Sequence, residues 1–142
     1  MNRLLILPVL LLTLLVGTPA FSADFQKGLT AAQSGDYATA LREWTPLAEQ
    51  GDAGIQSLLG SMYNEGKGVP QDYKTAAKWW KLAADQGDAG AQHDLGWMYA
   101  NGRGVARDDS FANSLFRRAG ELGSDLGVRL AQSIRGTEDK LP

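Results

Sequence analysis

A lysine between two glycines is the first place where this sequence could do chemistry. A phosphate-binding Walker loop reads G-x-x-x-x-G-K-[ST], because its glycines let backbone N–H groups surround the anion while the lysine and the hydroxyl serve phosphate and Mg²⁺. In the stretch GSMYNEGKGV, residues 60–69, Gly66 and Lys67 fit that pattern. Ser61 stands where the first glycine is needed, however, and Gly68 stands where the hydroxyl residue is needed. With two required residues missing, the stretch predicts a turn rather than a phosphate site.

The other residues that could support catalysis are one histidine and a set of evenly spaced aspartates. A general base needs an orienting partner, and one histidine is too few for the usual zinc ligand sets. His93 is therefore predicted to be a surface residue without a catalytic role. Asp36, Asp72 and Asp108 recur every 36 residues where predicted helices begin, so helix capping explains them better than a glycosidase carboxylate pair does. The sequence predicts no enzyme, no metal site and no cofactor.

The N-terminal segment has the layout of a secretory signal peptide. Arg3 and the amino terminus supply positive charge, an apolar stretch follows at residues 4–16, and Ala20 and Ser22 are small residues at the positions that a signal peptidase reads. A membrane helix needs about 20 apolar residues, and this stretch is shorter. We expect cleavage after Ser22, or alternatively after Ala23; the first site assigns residues 1–22 to the signal peptide, and an uncleaved anchor is the other alternative.

Charge and cysteine content limit the kinds of partner. The chain has 14 basic and 16 acidic residues, and removal of Arg3 with the leader leaves 13 against 16, a net charge of −3. Such mild acidity gives no electrostatic reason to expect nucleic acid or an anionic membrane. The sequence contains no cysteine, which excludes disulfides, thiolate zinc sites and a cysteine nucleophile. The remaining chain of about 120 residues is long enough for one domain with a modest core.

One unit is written three times along the chain. Residues 36–69 align with residues 72–105 at a spacing of 36 without a gap, and a third copy from Asp108 keeps the frame but loses similarity. A fixed period of this size is the mark of a repeat array. Three kinds of position stay in register: a helix-ending glycine, a small alanine and a large aromatic ring. They are Gly51, Gly87 and Gly123; Ala40, Ala76 and Ala112; and Trp44, Trp80 and Phe116.

Each unit is predicted to be a pair of antiparallel helices. In the second unit, apolar residues recur at steps of three and four from Tyr73 to Ala84, which marks the buried face of one helix. Gly87 can end that helix in the left-handed conformation, and Asp88 can cap the next one. Gly96 lies inside the second helix, where the lack of a side chain would let a neighbouring helix approach closely. The two glycines that follow form a turn between units.

Helix pairs stacked at this period form an α-solenoid, because one pair cannot bury its apolar face alone. We therefore predict an all-α protein with about seven helices over residues 23–136, and we expect a monomer. The predicted parts are a capping helix at 24–34, units at 36–71 and 72–107, a degenerate unit at 108–136 and a flexible tail at 137–142.

The segment AAKWWKLAADQGDAGAQHDLGWMYANGRGV, residues 76–105, is similar to the Sel1-like repeat family, a relative of the tetratricopeptide repeat. The matching elements are A-x-x-[WY], A-A-x-Q-G, AGAQ, L-G-x-M-Y and G-x-G-V, and the likeness covers nearly all of the chain after the leader. Gly54 and Gly90 depart from the family pattern, as does the missing glycine turn of the third unit. The resemblance implies a scaffold that binds partners and performs no chemistry, as in bacterial periplasmic adaptors and immunity proteins.

Partner-binding positions are predicted where the units differ in residue type while the helical frame is kept. First helices line the inner curve of tetratricopeptide-like solenoids, so varied positions on them could form a groove for a peptide or a protein surface. The predicted groove residues are Arg42, Glu43, Lys78, Trp79, Lys81, Leu115 and Arg117. Trp79 is the best anchor because it lies between two lysines, and aromatic and cationic residues contribute strongly to interfaces. Packing between helices is the alternative for its ring.

The predicted function is a non-enzymatic protein-interaction adaptor exported to the bacterial envelope, where it would be periplasmic or, alternatively, secreted. One alternative is an immunity or inhibitor protein that neutralises a specific toxin enzyme. The other is a hydrolase of envelope material, which the lack of a catalytic constellation disfavours. The expected partner is a protein or a peptide, with no nucleic acid and no stable membrane insertion after signal cleavage.

Overall fold

The computed structural model describes residues 19–121, and within that part of the chain it has six helices and no strand. The helices are α1 (Pro19–Gln33), α2 (Tyr37–Glu49), α3 (Ala53–Glu65), α4 (Tyr73–Asp85), α5 (Ala89–Asn101) and α6 (Asp109–Glu121). This succession confirms the predicted all-α chain of helix pairs. The seventh predicted helix, the tail at 137–142 and residues 1–18 of the predicted signal peptide lie outside the described residues.

Each helix from α2 to α6 follows an aspartate whose carboxylate accepts a hydrogen bond from the backbone N–H three residues later. The caps and their Oδ1–N distances are Asp36–Thr39 (3.1 Å), Asp52–Ile55 (2.8 Å), Asp72–Thr75 (3.1 Å), Asp88–Ala91 (2.7 Å) and Asp108–Phe111 (2.9 Å). These bonds satisfy N–H groups that have no partner inside the helix. The regular spacing of the aspartates therefore has a structural cause, as predicted.

The glycine-rich turn after α3 closes that helix and docks onto the start of α2. Gly66 ends α3 in the left-handed region, with φ of 68°. A Cβ on Gly68 would lie 2.5 Å from the carbonyl carbon of Tyr37, so the close approach of the two backbones requires glycine. The N–H groups of Gly66 and Lys67 both donate to the carbonyl of Met62. Because these two donors are in use, neither of them is available to a phosphate.

Small alanines and large apolar side chains fill the space between the helices in two main clusters. The first core cluster contains Ala40, Trp44, Leu47, Ala48, Ile55, Leu59 and Met62. The second core cluster contains Ala76, Ala77, Trp80, Ala83, Ala84, Ala91, Leu95, Met98 and Leu115. Residues of α1 pack against the first cluster, which gives α1 the capping position predicted for the N-terminal helix.

A flat ring packed on a helical glycine joins each second helix to the first helix of the next unit. We call this contact a ring-on-glycine joint. In the α3–α4 joint, a Cβ on Gly60 would overlap the indole of Trp80; in the α5–α6 joint, a Cβ on Gly96 would lie 2.8 Å from Cε1 of Phe116. The predicted packing role of both glycines is confirmed. A third joint, between α1 and α2, packs the indole of Trp44 on Gly28 and was not predicted.

Two buried glutamines tie the paired helices of each unit together. Gln56 Nε2 donates to the carbonyl of Ala48 at 3.0 Å, and Gln92 Nε2 donates to the carbonyl of Ala84 at 3.1 Å. Gln86, at the end of α4, also donates to Gln56 Oε1 at 2.8 Å. Since buried polar groups are costly when unpaired, these bonds fix the position of α4 relative to α3 of the first unit and α5 of its own unit.

Candidate functional site

Three lysines lie along one face of α4. Lys74, Lys78 and Lys81 are separated by four and three residues, which places them on one side of a helix, and all three are exposed. The Nζ atom of Lys81 lies 2.9 Å from Oδ2 of Asp85. Among the described residues, the side chains of Lys74 and Lys78 have neither a hydrogen bond nor an ion pair. The structure thus leaves two cations of α4 available to a partner.

An open cleft of about 430 Å³ runs beside this lysine row, and we call it the α4 cleft. Its lining residues are Lys74, Ala77, Lys78, Lys81, Leu95, Tyr99, Gly104 and Val105. Ala77 and Leu95 are buried and form its floor, while Tyr99 and Val105 are half-buried on the side that α5 and its following turn provide. The α4 cleft therefore combines apolar surface with lysines at its edge.

Two of the predicted groove residues serve the interior instead. Leu115 is only 1 % exposed and belongs to the second core cluster, so it has no surface for a partner, and its prediction as a groove residue is wrong. Trp79 is half-buried and packs against the first core cluster. Its ring therefore has the packing role that was the alternative in the sequence, and any contact with a partner is restricted to its exposed part.

The first unit places an internal ion-pair network where the predicted groove would continue. The side chain of Glu43 is 13 % exposed and lies 3.0 Å from Nζ of Lys27 and 3.4 Å from Nη2 of Arg42. The hydrogen bond from Lys27, with a smaller contribution from Arg42, holds the pKa of the Glu43 carboxyl below its usual value. Arg42 is exposed but already paired, and Arg117 is exposed on α6. The available lysines of α4 thus distinguish the second unit from the first.

A second cleft, of about 360 Å³, opens between α3 and α5. Its lining residues are Ser61, Asn64, Glu65, Trp80, His93, Asp94 and Trp97. The guanidinium carbon of Arg103 lies 4.9 Å from the ring centre of Trp97, and Nζ of Lys67 pairs with Glu65 at 2.5 Å. The charged and aromatic groups of this cleft are thus largely engaged with one another.

His93 is half-buried beside this cleft, which corrects the prediction that it is a surface residue. Its Nδ1 lies 2.8 Å from Oδ1 of Asp94; because an ionised carboxylate only accepts, Nδ1 carries a hydrogen in this contact. Its Nε2 is buried without a hydrogen-bond partner, and the imidazole packs on Phe116 at 5.8 Å between ring centres. A nitrogen closed off from solvent is badly placed to take a proton from a substrate, so the geometry offers no general base here.

Two further properties of the described residues bear on the kind of site that they could form. Within residues 19–121, no group of three or more histidine or acidic side chains is arranged to hold a metal ion. None of the helices in the same part of the chain is both long and apolar enough to cross a membrane.

The α4 cleft shows what the sequence interpretation missed. Lys74 is not among the predicted groove residues, because a comparison of equivalent positions between units does not follow one face along a single helix. The spacing of Lys74, Lys78 and Lys81 is the sequence signal for that face. Tyr99 and Val105 belong to the repeat pattern, and their place in the same cleft as the lysines depends on how α5 and its turn pack against α4, which no local pattern encodes.

Comparison with known proteins shows that part of this chain matches a repeat family. The model of the Sel1 repeat matches residues 56–88 and 89–124, whereas a search of curated proteins gives no match. The matched stretches run from the second helix of one unit into the first helix of the next, so each match contains one ring-on-glycine joint.

Three solved structures share the fold. The structure of c5321, a protective antigen of uropathogenic Escherichia coli with an SLR fold, is 34 % identical with a TM-score of 0.69 over 73 % of this chain and 23 % of that one. A Sel1 repeat protein from Oxalobacter formigenes is 27 % identical with a TM-score of 0.69 over 75 % of this chain and 44 % of that one. Cysteine rich protein B of Helicobacter pylori is 21 % identical with a TM-score of 0.63, over 80 % of this chain and 98 % of that one, and supports the fold alone. The chain thus spans about a quarter of the first of these proteins and less than half of the second.

Proposed function

We propose that this chain, which contains two Sel1 repeats at residues 56–88 and 89–124, acts as a non-enzymatic adaptor that binds a protein partner in the bacterial envelope. Sel1 repeats form protein-interaction scaffolds, and the general role follows from the fold. The export, the adaptor role and the surface used are the parts that we propose.

The observation that carries the proposal is the pair of available lysines, Lys74 and Lys78, on a helix held rigidly between two core clusters. The backbone of a formed helix is already ordered, so binding costs only the rotamer freedom of the side chains that the partner contacts. Its place in the middle of the array, with units on both sides, gives a partner a surface that continues beyond α4.

Removal of the leader on export would leave the contacts of α1 intact. The residues of α1 that pack against the first core cluster are Phe25, Leu29, Ala31 and Ala32. All of them follow Ser22, so cleavage at the predicted site would leave the α1–α2 joint in place. The solenoid would keep its N-terminal cap after loss of the leader.

A site-specific cross-linking experiment in the periplasm tests the adaptor role. A photo-crosslinking amino acid replaces Ala106, an exposed residue next to Val105 of the cleft, in one strain and Glu49, an exposed residue at the end of α2, in the matched control strain. We expect a defined envelope protein to be linked from position 106 and not from position 49. If both positions give the same background of adducts, the proposed binding surface is wrong, and retention of the full-length chain in the cytoplasm would contradict export.

The same experiment separates the adaptor from its alternatives. An immunity protein would be linked to one enzyme and would abolish that enzyme's activity when the two purified proteins are mixed. A hydrolase would act on envelope material without a partner and would lose that activity in a His93→Ala variant. Either result would replace the adaptor role.

A further inference from the structure

We infer that the α4 cleft binds an acidic peptide segment that carries an apolar residue next to its carboxylates. The inference rests on the proposed function, because it names the chemistry of the segment by which the partner would be held. The inference follows from the positive charges at the edge of the cleft, from the apolar surface inside it, and from the presence of the lysine row in one unit alone.

The edge of the cleft is positive although the chain as a whole carries a net charge of −2. Lys74, Lys78 and Lys81 succeed one another along α4 at rises of about 6 and 4.5 Å, from 1.5 Å per residue. Asp85 pairs with Lys81, and Asp72, whose carboxylate oxygens both accept hydrogen bonds from Thr75, is attracted by the charge of Lys78 without forming an ion pair with it. Carboxylates from a partner would therefore meet cations that are incompletely neutralised within the described part of the chain.

The apolar surface of the cleft selects for more than charge. Ala77 and Leu95 are only 5 % and 2 % exposed, so the apolar surface that a partner could cover belongs to the half-buried Tyr99 and Val105. The ring of Tyr99 makes an edge-on contact with Phe111 at 4.7 Å between ring centres. Removing apolar surface of a concave site from water is favourable. A segment with an apolar residue beside its carboxylates would cover Tyr99 and Val105, whereas a purely acidic one would leave them in water.

The lysine row belongs to α4 alone among the three first helices of the described chain. At a spacing of 36, the residues equivalent to the three lysines are Ala38, Arg42 and Thr45 on α2, and Ser110, Ser114 and Arg117 on α6. One cation of three remains in each of these helices. Such a restriction argues for recognition of a short segment by one unit and against a long polyanion such as nucleic acid, which would need a basic stripe along the array.

Peptide binding to the purified protein tests this inference. The probe is the labelled heptapeptide acetyl-Glu-Ala-Glu-Leu-Glu-Ala-Glu-amide, and its neutral counterpart has glutamine in place of every glutamate. We expect the acidic peptide to bind about tenfold more tightly or better, a difference that screening by about 500 mM NaCl removes. The amide signals of Tyr99 and Val105 should shift in NMR spectra when the acidic peptide is added.

Two double variants with the same change in charge locate the site. Lys74→Gln/Lys78→Gln removes the available cations of the cleft, and Lys27→Gln/Lys67→Gln removes two lysines that pair with acids elsewhere, Glu43 and Glu65. We expect the first to weaken binding of the acidic peptide about tenfold and the second less than about twofold, with equal thermal melting for both. An equal loss in the two variants, no preference between the peptides, or tighter binding of a single-stranded oligonucleotide would overturn the inference.

The outcome is separable from that of the proposed function. If position 106 links to a partner in the periplasm while the peptides show no charge preference, the adaptor role stands and the acidic segment is wrong. If the peptides show the expected preference while no partner is linked from position 106, the cleft chemistry stands and the adaptor role is wrong.

Discussion

The α3–α4 and α5–α6 joints have the same shape but different chemistry. In the first, the indole of Trp80 lies on Gly60 and its Nε1 donates to the carbonyl of Ser57 at 3.0 Å. In the second, the ring of Phe116 lies on Gly96 and has no hydrogen to donate. His93 occupies the place of Ser57, and its imidazole fills the space beside the smaller ring.

The difference between the two joints shows which contact every unit needs and which contact is present in some units only. A flat ring on a bare helix backbone is present in both joints, so close approach of the two helices is the constant element. The hydrogen bond is present in one joint and absent from the other, which makes it a supplement of about 0.5–1.5 kcal/mol to the packing. The α1–α2 joint agrees with this division, since Trp44 packs on Gly28 and donates to the carbonyl of Phe25 at 3.2 Å.

Adding a methyl group to the glycine of each joint should have the largest effect. Alanine favours a helix by about 0.5–1 kcal/mol over glycine, but a Cβ at position 60 would overlap the ring of Trp80. We expect Gly60→Ala to lower the free energy of unfolding by about 1–3 kcal/mol. Gly96→Ala should cost less, because the nearest atom of Phe116 lies at 2.8 Å. Urea unfolding followed by circular dichroism measures both values.

Gly90→Ala is the matched control for these variants. A Cβ at position 90 meets only a side-chain oxygen of Asp88, at 3.4 Å, so helix propensity should dominate and the variant should be as stable as the parent or slightly more so. If Gly60→Ala behaved like Gly90→Ala, the ring-on-glycine contact would not be what joins the units.

Exchanging the chemistry of the two joints is the second test. Phe116→Trp forces a larger ring against His93 and should cost about 1–3 kcal/mol, while His93→Ser removes the imidazole that packs on Phe116 and leaves a gap. Together they reproduce the Ser57 and Trp80 pair of the first joint. The indole then has room, and its Nε1 can reach the carbonyl of residue 93.

We therefore expect the double variant to be more stable than the sum of the two changes predicts, with a coupling free energy of about 0.5–3 kcal/mol. Urea unfolding of the four proteins of this cycle measures that coupling. Additive effects would mean that the two positions act independently and that the joints differ for another reason.

The accuracy of the sequence interpretation depended on how local each feature is. Caps and left-handed glycines were predicted correctly, because a cap needs only an aspartate three residues before an N–H group and the turn needs only a residue without Cβ. The Gly28 contact was missed because it is out of register. Residues 34–36 connect α1 to α2, whereas residues 66–72 connect α3 to α4. Because the α1–α2 connection is four residues shorter, the glycine that contacts the ring is displaced by four positions.

The partner surface was predicted less well than the fold, since variation between units was interpreted as exposure. Glu43, Trp79 and Leu115 share one position of the repeat, and their environments are an internal ion pair, a half-buried contact and the core. Each unit fills the same space with a different kind of side chain. Such a position varies because its neighbours vary with it, and only the three-dimensional contacts distinguish this case from a binding site.

The N-cap aspartates of α4 and α6 also differ in the hydrogen bonds that they accept, and this difference should have the smallest effect on stability. Asp72 accepts hydrogen bonds from both the hydroxyl and the N–H of Thr75, at 2.6 and 3.1 Å, whereas Asp108 accepts from the N–H of Phe111, whose side chain has no hydroxyl. The hydroxyl bond, followed by the N–H bond, lowers the pKa of Asp72 below its ordinary value of 3.8.

Because the folded protein binds this proton more weakly than the unfolded chain does, the cap contributes stability above the ordinary pKa. That contribution is lost as the pH falls through the lower folded value. We expect Thr75→Val to raise the pKa of Asp72 towards 3.8, measured by NMR titration of the carboxyl carbon, and to reduce the loss of stability in acid. Thr45→Val is the control, since that hydroxyl donates to the carbonyl of Leu41 and should leave Asp72 unchanged. An equal shift in both variants would mean that the pKa of Asp72 reports the general loss of a hydroxyl, and that the caps of α4 and α6 do not differ in the way their contacts indicate.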